Sequence, residues 1–356
     1  MNAFIYLEDG TKLIGKSFGA SKTVIGELVF NTGMTGYQEV LTDPSYCEQI
    51  VVMTYPMIGN YGINKCDNES SKVQVKAFVV REYSEIPSHY LCSDTIDDYL
   101  KSNGIPGIYD IDTRMLTKKI RDRGSMKCFI TTEETSEYKN VIKNYTFPKN
   151  IVSKVSRNEK NYFHGNDIKI GVLDLGLKQG IAKNLIKLGC SVVIYPYNTS
   201  KEEILNDNID VLLLSNGPGD PKDNIEIINL TKDLIGVIPL WGICLGHQIL
   251  ALALGGDTYK LKFGHRGSNH PVMNNLTGKI IISSQNHGFA VREDSLSQGF
   301  LITYVNINDN TVEGFDYPKY DIKAVQFHPE EGPGPIDGHF IFKDWLHSIK
   351  VGEDDA

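Results

Sequence analysis

Apolar positions change their spacing twice along this chain of 356 residues. Up to about Phe147 they come in short β-rich runs, among them Glu27-Leu28-Val29-Phe30, Gln49-Ile50-Val51-Val52-Met53 and Val75-Lys76-Ala77-Phe78-Val79-Val80, with glycine and proline between them. Two amphipathic stretches interrupt the runs, Thr95 to Asn103 and Thr113 to Arg123, the second with Asp112 in the capping position. The pattern predicts a mixed α/β domain over residues 1–147. From Pro148 to Asp167 the periodicity lapses and polar residues dominate, which predicts a linker over 148–167.

A different alternation fills residues 168–350. Strand patterns at Ile168 to Leu173, Ser191 to Tyr195, Val211 to Ser215 and Ile238 to Ile243 are separated by helical patterns at Gln179 to Leu188, Lys201 to Asn206 and Ile225 to Ile235. Strands apolar on both faces and spaced by helices predict an α/β fold with a largely parallel, helix-covered sheet. Ligands of such sheets bind at the carboxyl ends of the strands.

Composition narrows the function classes. Hydrophobic residues make up 41% and charged residues 22%, the profile of a globular chain. The start, Met1 to Asp9, carries an acidic pair where a signal peptide needs positive charge, and no apolar run reaches membrane-spanning length. With 36 Lys and Arg against 44 Asp and Glu, the net charge of −8 disfavours nucleic acid and anionic lipid as partners. Six scattered cysteines without a Cys-x-x-Cys pair argue against disulfide staples and a zinc site, and suit a reducing cytoplasm.

The segment Trp241-Gly242-Ile243-Cys244-Leu245-Gly246-His247-Gln248 leaves an apolar strand and enters a helix predicted from Gln248 to Leu254. Its Gly-x-Cys-x-Gly spacing is that of a strained turn that lifts one side chain above the sheet, with small neighbours where strand and helix crowd together. A thiol at the amino end of a helix meets the positive end of the dipole, which favours an anionic nucleophile. A lone free cysteine is more often a small core residue. The glycine spacing and the position at a strand end point instead to chemistry at Cys244.

A cysteine nucleophile needs a base. The run Ile322-Lys323-Ala324-Val325-Gln326-Phe327-His328-Pro329-Glu330 delivers His328 where a strand ends, with Glu330 two residues on and able to hold the second ring nitrogen. Val211 to Ser215 feeds the loop Asn216-Gly217-Pro218-Gly219-Asp220-Pro221, whose glycines permit close backbone approach to a ligand. The N–H groups of Gly219 and Leu245 are the candidate oxyanion hole, although an ordinary tight turn fits that loop equally well. His265 and His270 lack a supporting carboxylate or cysteine cluster and are assigned to a loop, so no metal site is expected. No Gly-x-x-x-x-Gly-Lys-Ser/Thr sequence is present to hold a nucleotide's phosphates.

Together the elbow, the His-Pro-Glu and the Gly-Pro-Gly loop resemble the triad class of glutamine amidotransferase domains. In the first half, Asn31 to Glu39, Leu41 to Tyr46, Thr54-Tyr55-Pro56 with Gly59-Asn60, and Gly107 to Thr113 resemble the amino-terminal domain of the carbamoyl phosphate synthetase small-subunit family, as Lys262 to Pro271 and Gln285 to Val291 do in the second. Two departures are Met57, where a polar residue is common, and Glu331-Gly332, where a small neutral pair is usual.

The resemblance implies glutamine hydrolysis by Cys244, His328 and Glu330. It places glutamine contacts on Ser45, Gly217, Gly219, Leu245, Gln248, Asn286, Gly288 and Phe289. It further implies a large synthetase subunit as partner, ATP and Mg held by that partner and no cofactor in this chain, and a higher assembly of heterodimers. The rival readings are an amidotransferase subunit of another synthase, a γ-glutamyl hydrolase or cysteine peptidase, and a regulatory scaffold that kept the fold.

Overall fold

The computed structural model describes residues 1–166, 168–330 and 332–354. They fall into two compact units, the first Met1–Pro148 with Lys262–Arg266, the second starting at Lys149 and taking the rest.

Seven strands of the first unit, β1 (Asn2–Leu7), β2 (Lys12–Gly19), β3 (Val24–Asn31), β4 (Gln49–Met53), β5 (Ala77–Val79), β6 (Pro106–Tyr109) and β7 (Met126–Thr131), close into a barrel in the order β1-β2-β6-β5-β4-β3-β7. Alternate side chains of a strand point to opposite faces. Leu28, Ile50, Val52 and Val79 accordingly share one core with Leu116 and Ile120 of helix α2 (Thr113–Arg123). Val29, Val51, Phe78 and Val80 share another with Ile96 and Leu100 of helix α1 (Ile96–Ser102). Each helix begins at a side-chain cap, the Thr95 hydroxyl accepting from the Asp98 N–H and the Asp112 carboxylate from the Met115 N–H. Barrel closure rests on the pairing of β1 with β7, more than a hundred residues away, which local patterning does not register.

Of the stretch expected to be a linker, Pro148 ends the first unit and the residues from Lys149 on count with the second. Of its residues, Asp167 lies outside the described set. The remainder includes a helical turn, α3 (Val152–Val155), and an edge strand, β8 (Asn161–Phe163). Val152 is fully buried, Arg157 pairs with Asp174 at 2.8 Å, and β8 lies antiparallel on the strand Ser191–Pro196. Its polarity reflects an exposed sheet edge anchored by few apolar residues.

The second unit is built on β9 (Lys169–Asp174), β10 (Ser191–Pro196), β11 (Val211–Leu214), β12 (Leu240–Ile243), β13 (Thr258–Asn274, of which Lys262–Arg266 count with the first unit), β14 (Ile280–Val291), β15 (Leu301–Asn306), β16 (Val312–Tyr317) and β17 (Ile322–Val325). With β8 they form one sheet in the order β8-β10-β9-β11-β12-β17-β16-β14-β13-β15, whose segment from β10 to β17 is parallel. Period two sorts the parallel strands onto both faces. Ile170, Val172, Leu213, Trp241 and Ile243 pack with Ile181 and Leu185 of α4 (Gln179–Lys187) and Phe342 and Trp345 of α8 (Phe340–Asp354). Leu173, Leu212, Leu214 and Leu240 pack with Ile204 of α5 (Lys201–Asn206), Leu234 of α6 (Ile225–Leu234) and Ile249 and Leu250 of α7 (Leu245–Ala253).

Two expectations are corrected. Helix α7 starts at Leu245, not Gln248, because the sharp turn is completed within Cys244 and the Gln248 N–H already bonds to the Cys244 carbonyl at 3.2 Å. His265 and His270 stand in the long strand β13 rather than in a loop. Among the described residues no helix is long and apolar enough to cross a membrane.

Candidate active site

Cys244 is the single residue between β12 and α7, with φ 54° and ψ −102°, a conformation that costs a non-glycine residue about 1–3 kcal/mol. The geometry explains the flanking glycines. A Cβ on Gly246 would lie 2.1 Å from the Leu214 carbonyl oxygen, and one on Gly242 would lie 2.6 Å from Leu250 Cδ1 and 2.7 Å from the Gly246 carbonyl carbon. The turn is held by the Cys244 N–H on the Val325 carbonyl at 2.9 Å and the Gly246 N–H on the Ser215 carbonyl at 3.1 Å. The thiol itself is buried, 3.7 Å from the carbonyl oxygen of Asn286.

His328 arrives from β17, the strand beside β12, and its N–H bonds to the Ser284 carbonyl at 2.9 Å. Its Nδ1 meets Glu330 Oε1 at 2.6 Å. Its Nε2 is buried with no hydrogen-bond partner of regular geometry among the described residues, while the Cys244 thiol still acts on the ring. Burial opposes a charged imidazole most strongly here and Lys178 adds to that, but the Glu330 carboxylate and the thiol together overcome both and raise the ring to about 10. Burial likewise favours a protonated Glu330, and the Lys178 ammonium and His328 overcome it, holding the acid down to about 2.

Lys178 was missed in the sequence. It sits at the carboxyl end of β9, just before α4, and its buried Nζ reaches Glu330 Oε1 at 2.8 Å. Its own N–H donates to Asn216 Oδ1 at 3.0 Å, tying this turn to the glycine loop after β11. Asn184 of α4 adds a 3.2 Å hydrogen bond to the Glu330 carbonyl. The available signal was position: a lysine where a buried parallel strand ends is where ligand-facing groups of this fold collect.

Of the other predicted residues, Gly217 has room for no side chain, since a Cβ there would meet the Leu175 carbonyl oxygen at 2.2 Å, and Gly219 takes φ +92°. The backbone N–H groups of Gly219 and Leu245 donate to no protein acceptor among the described residues. Gln248 Nε2 donates to the Phe289 carbonyl at 2.8 Å, linking α7 to the β14 segment that holds Asn286 and Gly288. Ser45 belongs to the first unit, in a short turn where its N–H donates to Asp43 Oδ1 at 2.8 Å. Met57 is half exposed on a two-residue strand of that unit. Glu331 lies outside the described residues.

The arrangement puts a sulfur nucleophile, an imidazole with one committed nitrogen and a charged carboxylate at adjacent strand ends, beside unspent backbone donors. That set suits attack on a carbonyl carbon with proton transfer to the leaving group.

Comparison with known proteins agrees. Residues 5–130 match the family described as carbamoyl-phosphate synthase small chain, CPSase domain, and residues 171–348 match glutamine amidotransferase class-I. Proteins named carbamoyl phosphate synthase small chain resemble the chain over nearly its whole length. That of Clostridium acetobutylicum is 49% identical, with 98% of this chain and 100% of that protein covered. The Clostridium perfringens protein is 48% identical over 97% and 99%, and the Fusobacterium nucleatum protein 47% identical over 98% of each.

Proposed function

The chain belongs to the carbamoyl-phosphate synthase small chain family, a glutamine-hydrolysing enzyme component, and from that premise we propose how its residues divide the work. The Cys244 thiolate attacks the side-chain amide carbon of glutamine. The oxyanion that forms is met by the N–H groups of Gly219 and Leu245, one such donor contributing about 3 kcal/mol to lowering the barrier. Protonated His328 gives its Nε2 proton to the departing nitrogen, releasing ammonia and leaving a glutamyl thioester. The imidazole, now neutral, takes a proton from water as that water attacks the thioester. Glutamate leaves and the thiolate and imidazolium are restored. Glu330 keeps Nδ1 protonated and the ring in place throughout.

Gly217, Gln248, Asn286, Gly288 and Phe289 hold the amino-acid end of the substrate, whose charges require several polar partners. For Ser45 the same assignment rests on the resemblance of its segment alone. Ammonia passes to a large synthetase subunit that supplies the ATP and Mg and makes carbamoyl phosphate from bicarbonate; this chain needs no cofactor of its own.

The observation that carries the reading is Cys244 at φ 54° with His328 and Glu330 on the neighbouring strand end. Cys244→Ser is expected to abolish glutamine hydrolysis while the assembled complex still uses free ammonia. Glutaminase activity retained by that variant would refute the assignment.

A further inference from the structure

Around Gln248 and Phe289, two of the proposed glutamine contacts, runs a buried chain of polar groups whose other members, His247 and Gln326, no step above uses. It comprises Gln248 and His247 on α7, Gln326 just past β17, and the Phe289 carbonyl on β14. Gln248 Nε2 lies 2.8 Å from the Phe289 oxygen and 2.9 Å from Gln326 Oε1. His247 Nδ1 lies 3.2 Å from the same Gln326 oxygen. Gln326 and His247 are fully buried and Gln248 nearly so.

The orientation of every member follows from one group. A backbone carbonyl only accepts, so the Gln248 atom beside Phe289 is its NH2, whichever way the amide was drawn. Both hydrogens of that NH2 are then used, one on Phe289 and one on Gln326. Gln326 must therefore offer its oxygen, because its own NH2 would meet Gln248 donor to donor. With that oxygen also facing His247 Nδ1, the imidazole carries its proton on Nδ1. A neutral ring agrees with burial, which outweighs the Gln326 contact and pushes His247 down to about 3. The ring also packs against Phe315, tilted by 43° at 4.9 Å between centroids. The Phe289 carbonyl is fixed from its far side by His287 Nδ1 at 2.7 Å.

The consequence for Gln248 is that its Oε1, which makes no hydrogen bond among the described residues, is the atom left for a ligand. We infer that Gln326 is a positioning residue: by accepting from Gln248 and His247 together it locks the Gln248 amide with its oxygen toward the pocket. The site then presents a pure acceptor to an N–H donor of the substrate. Without Gln326 the Phe289 carbonyl still holds one hydrogen of the amide, but the second loses its acceptor, so Oε1 is held toward the substrate less firmly. The inference rests on the reading that Gln248 touches glutamine, and the test separates the two.

Glutamine hydrolysis is measured for the chain in its complex with variants Gln326→Met, Gln326→Glu, Gln248→Met and the Gln326→Met/Gln248→Met pair. Gln326→Met is expected to raise KM for glutamine about tenfold, the effect of one lost hydrogen bond, with kcat within about twofold of wild type. Gln326→Glu, which still accepts from both donors, brings KM back toward wild type. The double variant is no worse in KM than Gln248→Met, because the lock has nothing left to hold. If Gln248→Met raises KM and Gln326→Met leaves it unchanged, or lowers only kcat, the positioning role is overturned and the glutamine contact stands. If Gln248→Met itself leaves KM unchanged, that contact is overturned and the inference with it. Should Gln326→Met not fold, the imidazole nitrogen shifts of wild type decide: a proton on His247 Nδ1 is expected, and one on Nε2 overturns the assignment.

Discussion

Glu330 Oε1 is shared by two cations, the Lys178 ammonium at 2.8 Å and the His328 ring at 2.6 Å, all three side chains being buried. The two neighbours pull the imidazole in opposite directions: Glu330 raises it and Lys178 lowers it. The alkaline limb of glutamine hydrolysis, set by loss of the imidazolium proton, is therefore expected near pH 10. Glu330→Gln should move it to lower pH and reduce kcat by about 10²-fold or more, while Lys178→Met should move it to higher pH. A pH–rate profile of kcat/KM for the three proteins checks both signs. Lys178→Met also removes one partner of a buried ion pair, a loss of about 3 kcal/mol. The sign with pH follows from Glu330, whose folded value is depressed from 4.5 to about 2. Its contribution is fully present above about 4.5 and fades as pH falls toward 2. The stability gap between wild type and Lys178→Met, read from denaturant unfolding, should hold at neutral pH and narrow in strong acid. A gap that widens in acid would contradict the pairing.

At the scale of elements, the elbow between β12 and α7 depends on backbone packing that the sequence announced through glycine. Gly246→Ala would push a methyl carbon to 2.1 Å from the Leu214 oxygen, so it is expected to cost about 3 kcal/mol or more in unfolding and to displace the thiol. Thermal unfolding with parallel glutaminase assays measures both. The parallel strands from β9 to β12 were legible because they are short, apolar on both faces and separated by helices of regular period. Cys244, His328 and Glu330 were legible because spacing and strand ends mark them. The antiparallel half was not: β13 and β14 run for 17 and 12 residues with mixed exposure, and their pairing is non-local. Lys178, Gln326 and His247 escaped for a related reason, since each acts through a partner distant in sequence, 152 residues away in the case of Lys178 and Glu330.

For the molecule as a whole, a glutaminase unit and a seven-stranded barrel are joined in a chain without a phosphate-binding loop of the Gly-Lys-Ser/Thr kind. The division of labour proposed here predicts that the purified chain makes no carbamoyl phosphate from glutamine, bicarbonate and ATP until the large subunit is added. Synthesis by the chain alone would contradict it. All six cysteines are free thiols, so the nucleophile must be picked out by its surroundings and not by its number.

That choice is open to direct observation. The complex is mixed with isotopically labelled glutamine, quenched in acid during turnover and digested, and the label is located by mass spectrometry. One glutamyl group is predicted, in thioester linkage to Cys244, and none in Cys244→Ser. Label on any other cysteine, or turnover with no trapped thioester in wild type when acylation outpaces hydrolysis, would contradict the mechanism.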